Sequence, residues 1–240
     1  MRESVKIYAT KAAAGLLVAG ALAVPLYLTS TPGRSLERPT DGVVGHARVV
    51  DGDTLEIDGV RVRLEGIDAP EIGQSCPGRW FGRWSAGRDA AAEMRQMIAG
   101  AAVSCRSTGA DAYGRMLGQC SANGLDLNRE MVRRGFAWAF VKYSTRFVAD
   151  ENFARTARAG IWRSTCAPAW EYRAAKWTGG ADQAPSGCAI KGNITSRGRR
   201  IYHMPWGRWY RRTKIETARG ERWFCSEAEA IRAGWQASRN

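Results

Sequence analysis

The dipeptide Asp58-Gly59 separates two short alternating runs, residues 54–57 and 60–64. A two-residue hairpin turn needs positive φ at both central positions, and Asp-Gly supplies it. That turn fixes a register. Ile57 faces Val60 and Leu55 faces Val62 on one side, which must be the core side, while Glu56 faces Arg61 and Thr54 faces Arg63 on the other. Glu56 and Arg61 read as an ordinary cross-strand ion pair. Arg63 lies at the open end of the hairpin, where Asp51 and Asp53 also sit. The chain leaving the second strand reaches Asp68 and Glu71 within a few residues, and Gly66 allows a bend on the way. Asp53, Arg63, Asp68 and Glu71 therefore converge without any long-range assumption.

Carboxylates brought close together repel one another unless something positive sits between them. A hard cation with oxygen ligands meets that need, and an arginine beside it offers the bidentate fork that suits phosphate. Each piece alone has an ordinary reading: "DGDT" as a turn, "DAPE" as a helix start, Arg63 as a solvated strand residue. An EF-hand loop is excluded, because Leu55 and Val62 stand where oxygen ligands are required. The joint arrangement points to phosphodiester hydrolysis. The cation would polarise a phosphoryl oxygen, Arg63 would offset developing charge, and Glu71 would take a proton from water.

Around this hairpin the chain alternates short strands with short helices. Residues 43–50 read as a strand, 85–99 as a helix with Ser85 as its N-cap and Gly100 past its end, and 101–106 with 116–121 as a second hairpin. "LNREMVRRG" is a helix closing at Gly135, residues 136–143 are aromatic and extended, and "FVADENFARTARAG" is a last helix stopping at Gly160. This pattern suggests a small barrel rather than a parallel α/β sheet. A net charge of +13 suits a polyanionic partner.

The N-terminus reads as an export segment. A basic flank (residues 1–11, with Arg2, Lys6 and Lys11) precedes an apolar segment over 12–29, near the length of a membrane span. Pro25, Tyr27 and Leu28 extend the apolar segment beyond the cleavage-like Ala21-Leu22-Ala23, which favours a retained anchor over a cleaved signal. Everything after Ser30 is then expected outside the cytoplasm, on the periplasmic or exterior side of a bacterial inner membrane, or secreted if the signal is cut. Residues 30–42 read as a linker, 43–166 as the main domain, 167–187 as a second linker, and 188–240 as a small module.

The blocks "DGDT" (51–54), "VRLEGIDAPE" (62–71), "DAYGR" (111–115), "LNREMVRRGFA" (127–137) and "GIW" (160–162) resemble, in order and spacing, the staphylococcal nuclease (thermonuclease) family. The resemblance covers about half the chain. It implies a five-stranded OB-fold barrel with three helices, and calcium-dependent hydrolysis of DNA and RNA leaving 3′-phosphates. It also implies Asp53, Asp68 and the carbonyl of Ala69 as Ca2+ ligands, Glu71 as general base, and Arg63 and Arg115 as the phosphate-contacting arginines. Tyr113 and Tyr143 would lie beside the substrate. No protein partner is implied, and a monomer is expected. A non-catalytic binder of nucleic acid or envelope on the same barrel is the competing reading, although such degenerate domains lose acids or arginines that this chain keeps.

Six cysteines without a CxxC pair fit disulfides in an oxidising compartment better than zinc. Cys105 and Cys120 fall opposite each other in the second hairpin, Cys188 and Cys225 bracket the tail module, and Cys76 and Cys166 remain as the third pair. Tyr202, Trp206, Trp209 and Tyr210 in the tail are interleaved with arginines. They read first as the core of a small α+β module, and second as stacking positions for single strands. His203 reads as a packing or hydrogen-bonding residue.

Overall fold

The computed structural model describes residues 42–78 and 80–238. The expected basic flank and apolar segment, and all of the first linker but Gly42, lie outside the described residues. Among the described residues no helix is long and apolar enough to cross a membrane.

Strand β1 (Gly42–Val49) pairs antiparallel with β2 (Thr54–Ile57), which turns into β3 (Val60–Leu64). The turn takes φ +48° at Asp58 and +82° at Gly59, and the register is the expected one, from Thr54 opposite Arg63 to Ile57 opposite Val60. Glu56 does face Arg61, but it pairs more closely with Arg48 on β1, at 2.6 Å against 3.9 Å. Strand β4 (Ile67–Asp68) follows, then a small hairpin of β5 (Cys76–Pro77) and β6 (Arg83–Trp84), and helix α1 (Ala86–Ile98). Ser85 takes the N-cap position of α1 without capping it, because its hydroxyl accepts from Arg88 instead. Strands β7 (Ala102–Ala110) and β8 (Met116–Ala122) form the second long hairpin. β1 pairs with β7, and β8 pairs parallel with β3, so the order β3-β2-β1-β7-β8 closes on itself. The result is a closed five-stranded OB-type barrel with helices packed on it, the expected fold.

Three helices fill and cap the barrel. Leu55, Ile57, Val62, Leu64 and Val103 line its interior against Met94, Met97 and Ile98 of α1. After β9 (Leu125–Asp126) comes α2 (Leu127–Arg133), capped by Asp126, whose carboxylate accepts the Arg129 N–H. Asn128 on α2 is fully buried. Its side chain accepts the Cys120 N–H at 3.0 Å and donates to the carbonyls of Glu65 and Gly118 at 2.9 and 3.0 Å. One amide thus reaches three backbone groups at the β3–β8 seam, one of which, the Gly118 carbonyl, also accepts the Glu65 N–H at 2.9 Å.

The expected extended run over residues 136–143 forms a strand only at β10 (Trp138–Ala139), paired with β4. A turn follows, with Tyr143 N–H donating to the Phe140 carbonyl. Helix α3 (Val148–Thr156) stops short of Gly160, because Arg158 adopts φ +49° and breaks the helical path. The segment 167–187 departs furthest from expectation. Its Gly- and Pro-rich end suggests a linker, yet most of it is helix α4 (Ala169–Ala181). Ala, Trp, Glu and Lys in its first turns favour helix, and the two glycines fall only in its last turn.

Beyond α4 lies a second, small α+β unit: β11 (Ile190–Ile194), β12 (Arg200–His203), β13 (Arg222–Phe224), α5 (Glu227–Arg232) and β14 (Gln236–Ala237), in the sheet order β13-β11-β12-β14. Ile190, Tyr202, Phe224, Ala230 and Trp235 form its core. The tail aromatics divide: Tyr202 and Tyr210 are buried, while Trp206 faces a cleft described below. His203 Nε2 meets the Asn193 side chain at 2.8 Å. The three disulfides join Cys76 to Cys166, Cys105 to Cys120 and Cys188 to Cys225.

Replacing Asn128 with Ala removes the side-chain partners of the Cys120 N–H and the Glu65 carbonyl, and one of the two donors to the Gly118 carbonyl, and should lower stability by about 2–4 kcal/mol. Urea unfolding of the two proteins measures it; a loss within the range of a surface substitution would show that the seam does not depend on this amide.

Candidate active site

The site forms where the open end of the β2–β3 hairpin meets β4. Arg63 leaves β3 and forks between two carboxylates, with Nη1 donating to Asp53 Oδ1 at 2.9 Å and Nη2 to Asp68 Oδ1 at 2.8 Å. Asp53 Oδ1 also accepts from the Thr54 hydroxyl at 3.0 Å, and Asp53 Oδ2 from the Ala69 N–H at 2.8 Å. Asp51 accepts the Asp53 N–H, which closes the turn "DGDT" on itself. Asp68 is held by β4 pairing with β10, opposite Trp138. Glu71 is placed by its neighbours: its N–H donates to the Gln74 side chain, its carbonyl accepts the Gln74 N–H, and Gly87 of α1 packs against that carbonyl. A Cβ at position 87 would run into the Glu71 carbonyl, so the glycine is what lets α1 approach.

A second guanidinium completes the network, and sequence reading missed it. Arg173 of α4 donates from Nη1 to Asp68 Oδ1 at 3.0 Å and to Glu71 Oε1 at 2.9 Å, and from Nη2 to Asp68 Oδ2 at 2.8 Å. It reaches the site because α4 is fastened beside it. Gln74 Nε2 donates to the Ala167 carbonyl, Tyr172 donates to the Gly73 carbonyl, and the Cys76–Cys166 disulfide ties the same two segments. The only sequence signal was the cysteine pairing, which places residue 166 next to the loop after "DAPE".

Electrostatics follow from this crowding. For Asp53, burial pushes the carboxyl up, but the charge of Arg63, the Ala69 N–H and the more distant Arg173 and Arg115 outweigh it and hold it below the usual range. Asp51 is raised well above that range by burial and by the charges of Asp53 and Glu71. Burial raises Glu71 to about 7, against the pull of Arg173 and with help from Asp53 and Asp68. Four carboxylates thus face two guanidiniums, and the two less directly paired ones resist ionising.

The site opens into a cleft of about 730 Å³. Arg115, Tyr113 and Tyr143 line it, as do Arg173, Tyr202 and Trp206 from the C-terminal part of the chain. Arg115 makes no hydrogen bond or ion pair with Asp51, Asp53, Asp68 or Glu71. Its Nε donates to Asp111 at 2.6 Å, and its guanidinium lies 5.6 Å from the Tyr113 ring. The same Asp111 accepts the N–H groups of Tyr113 and Arg115, so the loop "DAYGR" is one closed turn. Tyr143 is exposed and packs edge-on against Phe140, which stacks on Trp170 of α4. Ala69 is buried beside Asp53.

The oxygens of Asp53 and Asp68 are the hard donors that a divalent cation takes, and the excess of carboxylate over guanidinium is charge that such a cation would neutralise. The donor set therefore fits. Among the described residues no three acidic, histidine or cysteine side chains stand together as a ligand group, because Asp53 and Asp68 share Arg63, and Asp68 and Glu71 share Arg173.

A closed OB barrel with buried acids and a phosphate-suited arginine at the floor of a cleft lined by aromatic rings defines a class: hydrolases of nucleic-acid phosphodiesters. The comparisons agree. The family described as "Staphylococcal nuclease homologue" matches residues 61–164, and a second family, ArfC, matches residues 172–237. An "Uncharacterized endonuclease" of Escherichia coli O157:H7 is 40% identical over 134 residues, covering 52% of this chain and 81% of that protein. "Succinoglycan biosynthesis protein ExoI" of Rhizobium meliloti (strain 1021) is 33% identical over 151 residues, covering 60% of this chain and 75% of that protein. "Staphylococcal-like nuclease CAN1" of Arabidopsis thaliana is 33% identical over 116 residues, covering 47% and 33%. The chain belongs to the staphylococcal nuclease homologue family and is a nuclease. Nucleases of this family are generally metal-dependent. Arg173 lies outside the nuclease match and inside the ArfC match.

The raised Glu71 gives a stability test. A carboxyl whose folded pKa exceeds its ordinary 4.5 is favoured in the fold while protonated; that contribution is full below 4.5 and is lost as pH rises through about 7. In chelator, wild type should therefore lose stability relative to Glu71→Gln across that window. Urea midpoints at a series of pH values measure it, and a pH-independent difference would show that Glu71 is not raised.

Proposed function

We propose that the protein is an exported, calcium-dependent nuclease that cleaves DNA, RNA or both and leaves 3′-phosphate ends. The observation that carries this reading is the Arg63 fork between Asp53 and Asp68, with Glu71 one ion pair away. Asp53 and Asp68, with the Ala69 carbonyl, would hold the calcium, which when bound would polarise a phosphoryl oxygen.

The side chains have distinct tasks. Arg63, already oriented by two carboxylates, presents its charge to the phosphate and needs no reorganisation as negative charge builds there. Arg115 contributes from the facing loop once a phosphate competes with Asp111. Tyr113 and Tyr143 flank the strand, where their rings offer stacking surfaces that any base accepts. Glu71, near 7, is poised to take a proton from water at neutral pH. The water oxygen joins phosphorus, the bond to the 5′ oxygen breaks, and that oxygen leaves as a hydroxyl after taking up a proton. Three sequence features support export: the basic flank, the apolar segment that follows it, and six cysteines, which the structure pairs in three disulfides.

Digestion of plasmid and single-stranded substrates tests the assignment. Chelator should abolish cleavage and added calcium restore it, and Glu71→Gln should lower kcat by roughly 10²–10⁴-fold. Cleavage indifferent to chelator would remove calcium, and full activity in Glu71→Gln would remove the base.

A further inference from the structure

We propose that Arg173 is an exchangeable counter-ion: it positions Asp68 and Glu71 while no metal is bound, and a divalent cation must displace it to load the site. The inference rests on the proposed calcium at Asp53 and Asp68. It adds a positioning residue supplied from outside the nuclease match.

The geometry is that of a substitute cation. Arg173 grips both oxygens of Asp68, at 3.0 and 2.8 Å, and reaches Glu71 at 2.9 Å from the same nitrogen that holds Asp68 Oδ1. With Arg63 also on Asp68 Oδ1, that carboxylate accepts three charged N–H groups, and its side chain is fully buried. A second cation on the same oxygens would face the guanidinium at a few ångströms inside a poorly solvated site, where like charges repel strongly. Metal and Arg173 therefore exclude each other at Asp68. Arg63 is not equivalent, because it stands on a barrel strand fixed on both sides by pairing to β2 and β8.

Helix α4 is built so that its arginine can leave. Only Ala169 and Gly180 of its thirteen residues are buried. Its attachments to the site loop cluster at its start, through the Cys76–Cys166 disulfide and the Gln74–Ala167 and Tyr172–Gly73 hydrogen bonds. Releasing the Arg173 side chain breaks none of these. The tether keeps the guanidinium at high local concentration, so it returns whenever the metal leaves. Metal loading then depends on the C-terminal part of the chain as well as on the barrel.

Calorimetric titration of the full-length protein with calcium chloride alone, without substrate, tests this. A latch closed about nine-tenths of the time weakens apparent affinity about tenfold, so Arg173→Gln should bind calcium about tenfold more tightly than wild type. Arg173→Lys, which keeps the charge, should stay closer to wild type. Hydrogen exchange on wild type gives a second readout that needs no variant: calcium should speed exchange over residues 169–181. Equal or weaker calcium binding by Arg173→Gln would overturn the exchange and leave the calcium assignment standing, and so would an α4 that calcium leaves unchanged or protects. Absence of calcium binding by wild type and both variants would overturn the calcium assignment itself, and the exchange with it.

Discussion

Arg63 holds the site together. Its two η-nitrogens join a carboxylate from the turn before β2 to one from β4, so three segments meet at one guanidinium. Asp68 is fully buried and Asp53 nearly so, and the Arg63 charge helps hold the Asp53 carboxyl below the usual range against its burial. Removing one partner from such a pair typically costs about 3–5 kcal/mol, because the others are left buried and unpaired. The barrel makes the fork possible. Thr54 opposite Arg63 fixes the height of the arginine at the hairpin mouth, and the parallel β3–β8 pairing closes the barrel beside it. The interaction that would bind phosphate is thus also a structural one, and the fold holds its reactive group in place before substrate arrives.

What could be read from the sequence follows from distance along the chain. The hairpin, its register and the convergence of Asp53, Arg63, Asp68 and Glu71 span some twenty residues, and local rules for turns and strand alternation are enough to place them. The Cys105–Cys120 pair was legible for the same reason, since the second hairpin sets them opposite each other. Arg115 was placed at the phosphate only by the family resemblance, and its pairing with Asp111 was not legible, because that pairing depends on how the five-residue loop closes. Arg173 was not legible. It lies 102 residues beyond Glu71, in a segment whose glycines and proline outweighed its helical first turns. No local rule reports that a disulfide and a buried glutamine will lay that helix across the site.

The C-terminal part is therefore more than an appendage. Its core of Ile190, Tyr202, Phe224 and Trp235 is small, and the Cys188–Cys225 bridge closes the loop that carries it, as expected for a unit with little apolar surface to bury. Yet it supplies one wall of the cleft. Tyr202 donates to Glu227 at 2.5 Å where both line the cleft, and Trp206 packs near Trp177 of α4. The cleft is thus lined by aromatic rings from both parts of the chain, Tyr113 and Tyr143 from one and Tyr202 and Trp206 from the other.

This division of labour has a consequence for charge. The barrel alone gathers four carboxylates around a single arginine, an arrangement that burial penalises and that only added positive charge relieves. Two sources can supply it, a cation from solution or a guanidinium from α4, and the second is always present because it is covalently attached. The carboxylates can then be kept buried and preorganised, with or without a bound cation, without unfolding the loop that bears them. The barrel sets the chemistry, while the attached helix sets the conditions under which the acids are free to perform it.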